Sequence, residues 1–151
     1  MGLAFDLPAR LVTAAGPQAL QVALAGSFWR RFRGLMLAAP LQVQPCPQGL
    51  LLTDCTSVHG CFMRYPLDVV FLARPDTQGV YRVTGTARLP RWGMRLGQHW
   101  RDPANDQRLR AAHVLELPAG TVAHWGVQAG DRLSVACAKT AHSRKPEELC
   151  L

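Results

Sequence analysis

The feature that most limits how this chain can fold is its rhythm: short apolar or alternating runs, each stopped within a few positions by glycine, proline or aspartate. Runs over 9–14 and 19–25 flank Gly16-Pro17, and the pair reads as a hairpin. The continuous apolar run Gly49-Leu50-Leu51-Leu52 suits a strand covered on both faces. Further strands are expected at 56–63, 67–73, 79–88, 113–117 and 131–138. Pro66, Pro75-Asp76-Thr77-Gln78-Gly79, Pro118-Ala119-Gly120 and Ala129-Gly130-Asp131 separate them. Strands this short bury their apolar faces only by packing as a sandwich or closing as a barrel. The expected fold is therefore mainly β, a single-domain antiparallel β-sandwich or jelly-roll-like barrel.

Two segments depart from that rhythm. Ser27 is placed to cap a short N-terminal helix over 28–33 that stops at Gly34 and buries Phe28 and Phe32, spaced i, i+4. Residues 90–111 are too many for a hairpin loop and hold no clear strand pattern, so they read as a long loop insertion. The polar residues after 138 read as a flexible tail, which sets the domain at 9–138 and the tail at 139–151.

With 151 residues and 48% hydrophobic content, the chain can bury roughly 68–70% of its unfolded surface and so build a core without metal or disulfides. A net charge of +7 favours solubility and anionic partners. The five cysteines, at 46, 55, 61, 137 and 150, contain no Cys-x-x-Cys. Neither a disulfide framework nor a zinc ribbon is expected, and reduced thiols in a cytoplasm are the default. Residues 11–29 carry no formal charge and follow Arg10, as a secretory leader would. Gly16-Pro17-Gln18 and the alternation of Leu20, Val22 and Leu24 favour a hairpin instead, leaving a secreted or periplasmic setting as the alternative. No apolar run reaches the ~20 residues of a transmembrane helix.

Several blocks then follow in a recognisable order. They are Arg33-Gly34-Leu35-Met36, Gly49-Leu50-Leu51-Leu52, Ser57-Val58-His59, Phe62-Met63-Arg64, Pro66-Leu67-Asp68-Val69-Val70-Phe71, Leu115-Glu116-Leu117-Pro118-Ala119-Gly120 and Gly130-Asp131. The ordered set resembles the bacterial and archaeal family catalogued as domain of unknown function 192, over about residues 9–138. The resemblance implies a small jelly-roll-like β-sandwich with a short helix near Arg33, and it implies no reaction. Some relatives sit in envelope or pilus-associated settings. Gly60-Cys61 and the length and basicity of the insertion after Leu89 depart from the family pattern.

Three side-chain sets are candidates for function. Arg33, Asp68 and Glu116 fall in the matched blocks, and both carboxylates interrupt apolar strands, so each either points to solvent or needs an interior partner. With His59 and Met63 they could line a pocket at the mouth of the β shell, where Arg33 would hold a small anionic ligand. A brace of Arg33 with the carboxylates is the structural alternative. The expected function on this reading is a non-catalytic accessory module for a small ligand or a protein.

The second set is Cys55, His59 and Cys61, at odd positions of one stretch and so on one face of an extended strand. Thiolates and imidazole suit zinc or copper, or a thiol-dependent enzyme. Ligands at i, i+2 and i+4 lie about 6–7 Å apart at each step, so one ion needs a bend, which Gly60 could supply. The third set is the basic insertion, in which seven arginines between 82 and 110 face Asp102 and Asp106. Arg91, Trp92, Arg95, Trp100 and Arg101 combine charge with stacking surface, as nucleic acid or an anionic membrane surface would require.

Overall fold

The computed structural model describes residues 4–25, 40–61 and 63–136. In chain order these form β1 (Leu7–Thr13), β2 (Gly16–Ala25), β3 (Gln48–Leu52), β4 (Ser57–His59), β5 (Leu67–Leu72), β6 (Val80–Leu89), β7 (Met94–Leu96), β8 (Trp100–Arg101), β9 (Arg108–Leu109) and β10 (His113–Pro118). A helical turn α1 (Thr121–Trp125) and strand β11 (Arg132–Val135) complete them. The expected short helix at 28–33 lies outside the described residues.

Turn chemistry sets the boundaries. The Thr13 hydroxyl accepts the Ala15 N–H and donates to the Gly16 carbonyl, both at 3.2 Å. The first turn thus falls at Ala14-Ala15, earlier than the expected Gly16-Pro17, and Pro17 sits inside β2 opposite Val12. Between β5 and β6, Asp76 Oδ1 accepts the N–H groups of Gln78 and Val80, and Gly79 takes a positive φ of 77° that only glycine adopts without strain. Asp131 closes the turn into β11 by accepting the Gln128 N–H at 2.9 Å.

Seven strands close into a barrel in the order β1-β11-β6-β5-β10-β3-β2. Six of the seven pairings are antiparallel, while β2 and β3 run parallel, with Ala23 opposite Leu50. The sheet is therefore mixed where an antiparallel one was expected. A parallel pair needs a crossover, and the long connection 26–47 has the length for one. Closure removes free sheet edges from these seven strands.

The core lies on both sides of this wall. Every barrel strand sends side chains into the lumen, among them Leu11, Leu20, Leu51, Val70, Val83, Leu115 and Leu133, and Trp125 and Val127 from α1 and its exit close one end. A second apolar cluster covers the outer face of β2, β3, β10 and β5. It joins Leu50, Val69, Phe71 and Val114 to Leu41, Val58 and Met63 from covering segments. Strands β5 and β10 are buried along their whole length.

The insertion is more ordered than its sequence pattern suggests. It contributes β7, which pairs with β4, and the β8–β9 ribbon. Strands of two or three residues are too short for alternation to register, so nothing in the pattern predicted them. The helical turn α1 escaped for the same reason. Cys46 is disulfide-bonded, with its partner outside the described residues, so the expectation of five reduced thiols fails at that position. Among the described residues, no helix is long and apolar enough to cross a membrane.

Candidate functional site

Strand register divides the predicted pocket. Glu116 stands opposite Leu50 and Val69, on the covered outer face, whereas Asp68 stands opposite Leu117 and shares the lumen face with Val70 and Leu72. The two carboxylates therefore project from opposite sides of one sheet and do not share a pocket. Asp68 acts locally, its Oδ2 accepting the Val122 N–H at 2.9 Å. The helical turn begins at Gly120, which has no side chain to cap it, and Asp68 from β5 supplies the missing acceptor.

Glu116 keeps different company. Its side chain is buried on the outer face, where Oε2 makes no hydrogen bond among the described residues. Burial pushes its carboxyl up to about 7, so near neutrality the acid is about half protonated. Tyr65 lies close enough that the Glu116 charge adds to burial in raising its phenol. Met63 is buried in the same cluster. Gln21 is another buried residue on the outer face of the wall; among the described residues neither its Oε1 nor its Nε2 has a hydrogen-bond partner. Met63 and Glu116 thus belong to the same outer face, with Tyr65 near the Glu116 charge, and Gln21 lies on that face two strands away from Glu116. Arg33 lies outside the described residues. His59 is exposed on β4, paired with Met94, while its neighbour Val58 points into the cluster.

The cysteine set does not gather. Among the described residues, no three His, Cys, Asp or Glu side chains are placed to hold a metal ion. Cys55 precedes β4 and its thiol donates to the Ser57 carbonyl at 2.9 Å, while Cys61 lies past the strand end, half-buried. Gly60 supplies no bend that draws the donors together. Its N–H donates to Gly93 O and its carbonyl accepts from Trp92, which ties it into the edge of the β4–β7 ribbon.

Part of the arginine and tryptophan set is committed internally. Arg82 lies over the Trp100 ring, 5.4 Å from its centroid, donates to Gly130 O and reaches Asp102 at 3.6 Å. Arg101 pairs with Asp106 at 2.7 Å. Arg91 donates to Met63 O, and Arg95 to Met94 O. Trp92 is 61% exposed. Trp100, under Arg82 of β6, thus holds the insertion on the barrel instead of extending a stacking surface, while Arg101 pairs within the insertion.

A groove that the sequence pattern did not suggest lies nearby. It has a volume of about 500 Å³ and is lined by Asp54, Thr56, Arg74, Arg108, Arg110 and the apolar stretch around Ala111. Backbone bonds from Cys55 N–H to Ala112 O and from Ala112 N–H to Leu72 O, at 2.9 and 2.7 Å, pin its three walls together. Below it, His113 Nδ1 accepts the Asp54 N–H at 2.9 Å. Burial lowers the His113 pKa, the Asp54 charge opposes that, and Arg74 reinforces it.

Comparison with known proteins agrees with this architecture. A UPF0127 protein of Pyrococcus furiosus is 30% identical over 114 residues, which span 76% of this chain and 85% of that one. A solved structure of a proposed transcription regulator from Sinorhizobium meliloti superposes with a TM-score of 0.62 at 28% identity, covering 89% of this chain and 96% of the other. A protein of unknown function from Novosphingobium aromaticivorans shares the fold, with a TM-score of 0.61 at 20% identity and coverage of 84% and 83%. A family model matches residues 10–135, nearly the whole barrel, and the chain belongs to the family it describes, DUF192, uncharacterized ACR.

Proposed function

We propose that this protein is a non-catalytic binding module that recognises a small ligand or a protein segment on the covered outer face of the barrel, around Glu116 and Met63. One observation carries the reading. Among the described residues Glu116 Oε2 is buried without a hydrogen-bond partner, and native proteins leave few such groups unsatisfied. An acid held near half-protonation can accept or donate, and the Gln21 amide on the same face offers both functions again. A polar, uncharged group such as an amide or hydroxyl would complete Glu116.

Native mass spectrometry of the full chain purified without denaturant tests this. A small molecule or peptide retained by the wild type and lost from Glu116→Gln is the expected result. A bare polypeptide mass for the wild type would overturn the proposal. So would a Glu116→Gln variant that loses stability but retains its adduct, which is the outcome of a purely structural role.

The Cys46 disulfide supports residence in an oxidising compartment, where such bonds persist, over the reducing cytoplasm. An envelope setting for an accessory module agrees with that chemistry.

A further inference from the structure

We propose that the groove between the end of β5 and the end of β9 is a second binding site, for a small phosphorylated molecule. It uses none of the residues placed around Glu116.

The argument begins with charge. Three arginines, Arg74, Arg108 and Arg110, line the groove against one carboxylate, Asp54. Arg74 spends one N–H on Asp54 Oδ1 at 3.1 Å, and its remaining donors are uncommitted among the described residues. The Arg108 and Arg110 side chains have no hydrogen bond or ion pair among the described residues. The groove therefore keeps two positive charges beyond what its own carboxylate balances, which matches a phosphate monoester dianion.

Geometry sharpens the match. Arg108 and Arg110 are two residues apart at an extended segment, so they leave the chain on the same side with Cα atoms about 7 Å apart. Two planar guanidinium forks at that spacing can close on one phosphate group from both sides. Arg108 also sits directly opposite Arg101 in the β8–β9 ribbon. Like charges in register are unfavourable; Asp106 relieves Arg101, and nothing among the described residues relieves Arg108.

The rest of the lining limits the ligand. Leu109, Ala111, Ala112 and Ala73 form an apolar wall, suited to an organic body attached to the phosphate. A volume of about 500 Å³ lies within the ordinary range for small-ligand sites, roughly 300–1,000 Å³. A nucleic-acid strand needs a continuous track with stacking rings instead, and Trp100, which stands opposite Leu109, is held under Arg82.

The test is isothermal titration calorimetry of the full chain at low salt with three probes: inorganic phosphate, phenyl phosphate and a single-stranded oligonucleotide. Phenyl phosphate is expected to bind more tightly than inorganic phosphate, because only it reaches the apolar wall. The double variant Arg108→Ala/Arg110→Ala should weaken phenyl phosphate binding by at least about tenfold, the loss of one or two charged hydrogen bonds. Arg91→Gln, outside the groove, should leave it unchanged. Should the alanine variant fail to fold, Arg108→Gln/Arg110→Gln, which keeps side-chain length and removes the charge, is expected to show the same loss. No phosphate binding by the intact chain, binding that survives both double variants, or binding of the oligonucleotide alone would each overturn the proposal.

Discussion

Glu116 and Asp68 are both carboxylates inside apolar strands, and each is 5% exposed, yet their environments give them opposite consequences. Glu116 has its carboxyl raised from 4.5 to about 7 by burial. A group whose folded pKa is raised stabilises the fold fully below its unfolded value and loses that contribution as pH rises through the folded one. The loss therefore runs from about pH 4.5 to just above 7 and amounts to about 3 kcal/mol at most. Replacing Glu116 with Gln removes this dependence. Urea unfolding should show the variant gaining up to that amount over wild type between pH 4 and pH 8, and a parallel pair of pH profiles would refute it. His113 works in the other direction, its lowered pKa costing stability as pH falls below about 6.5, so the difference between variant and wild type isolates Glu116. Asp68 caps α1 from another strand, and Asp68→Ala should cost about 1–2 kcal/mol while Asp68→Asn, which keeps an acceptor, costs less; equal losses in chemical denaturation would exclude the cap. The sequence pattern marked both residues, because a carboxylate in an apolar run demands an explanation. It could not assign their sides, since both faces of β5 and β10 are buried and alternation no longer separates core from solvent. Gln21 gave no signal, because a glutamine between Leu20 and Val22 looks like any solvent-facing residue of a half-buried strand.

At the scale of elements, legibility followed length. The long strands β2, β5, β6 and β10 were placed to within a few residues, because each carries enough alternation or continuous apolar character to declare itself. The short elements β7, β8, β9 and α1 exist through partners distant in sequence, and no local pattern encodes such pairing. The β4–β7 ribbon illustrates the cause. Gly60 is held between Gly93 O and the Trp92 N–H, with the chain so close that a Cβ at Gly60 would collide with the Pro90 carbonyl. Backbone packed against backbone leaves no flexible side chain to yield, so Gly60→Ala must shift the ribbon. The expected cost is about 1–3 kcal/mol, concentrated in one element. Hydrogen exchange should therefore accelerate at Trp92 and Gly97, whose N–H groups bond across this ribbon, while the β5 and β10 amides keep their protection relative to global stability. Uniform acceleration across the barrel would contradict a local role for the glycine.

The whole molecule combines a wall that needs no covalent help with a disulfide that composition alone did not predict. An odd number of cysteines without paired spacing argues against a framework of several bridges, but it cannot exclude a single bridge between residues far apart in sequence. Cys46 is bonded, while Cys55 and Cys61 remain thiols. Five cysteines less the two in one bridge leave three thiols. Thiol titration of the oxidised, denatured chain should therefore find three groups, rising to five after reduction. The bridge also constrains the unfolded chain, an effect typically worth about 2–4 kcal/mol. Because the barrel closes through its own backbone pairing, reduction should lower the melting temperature without abolishing the folded state, and Cys46→Ser should reproduce the reduced protein. Five thiols before reduction, or melting curves that coincide with and without reductant, would remove the bridge and with it the physical case for an oxidising compartment. A drop with three thiols would instead tie the stability of the chain to the redox state of its surroundings.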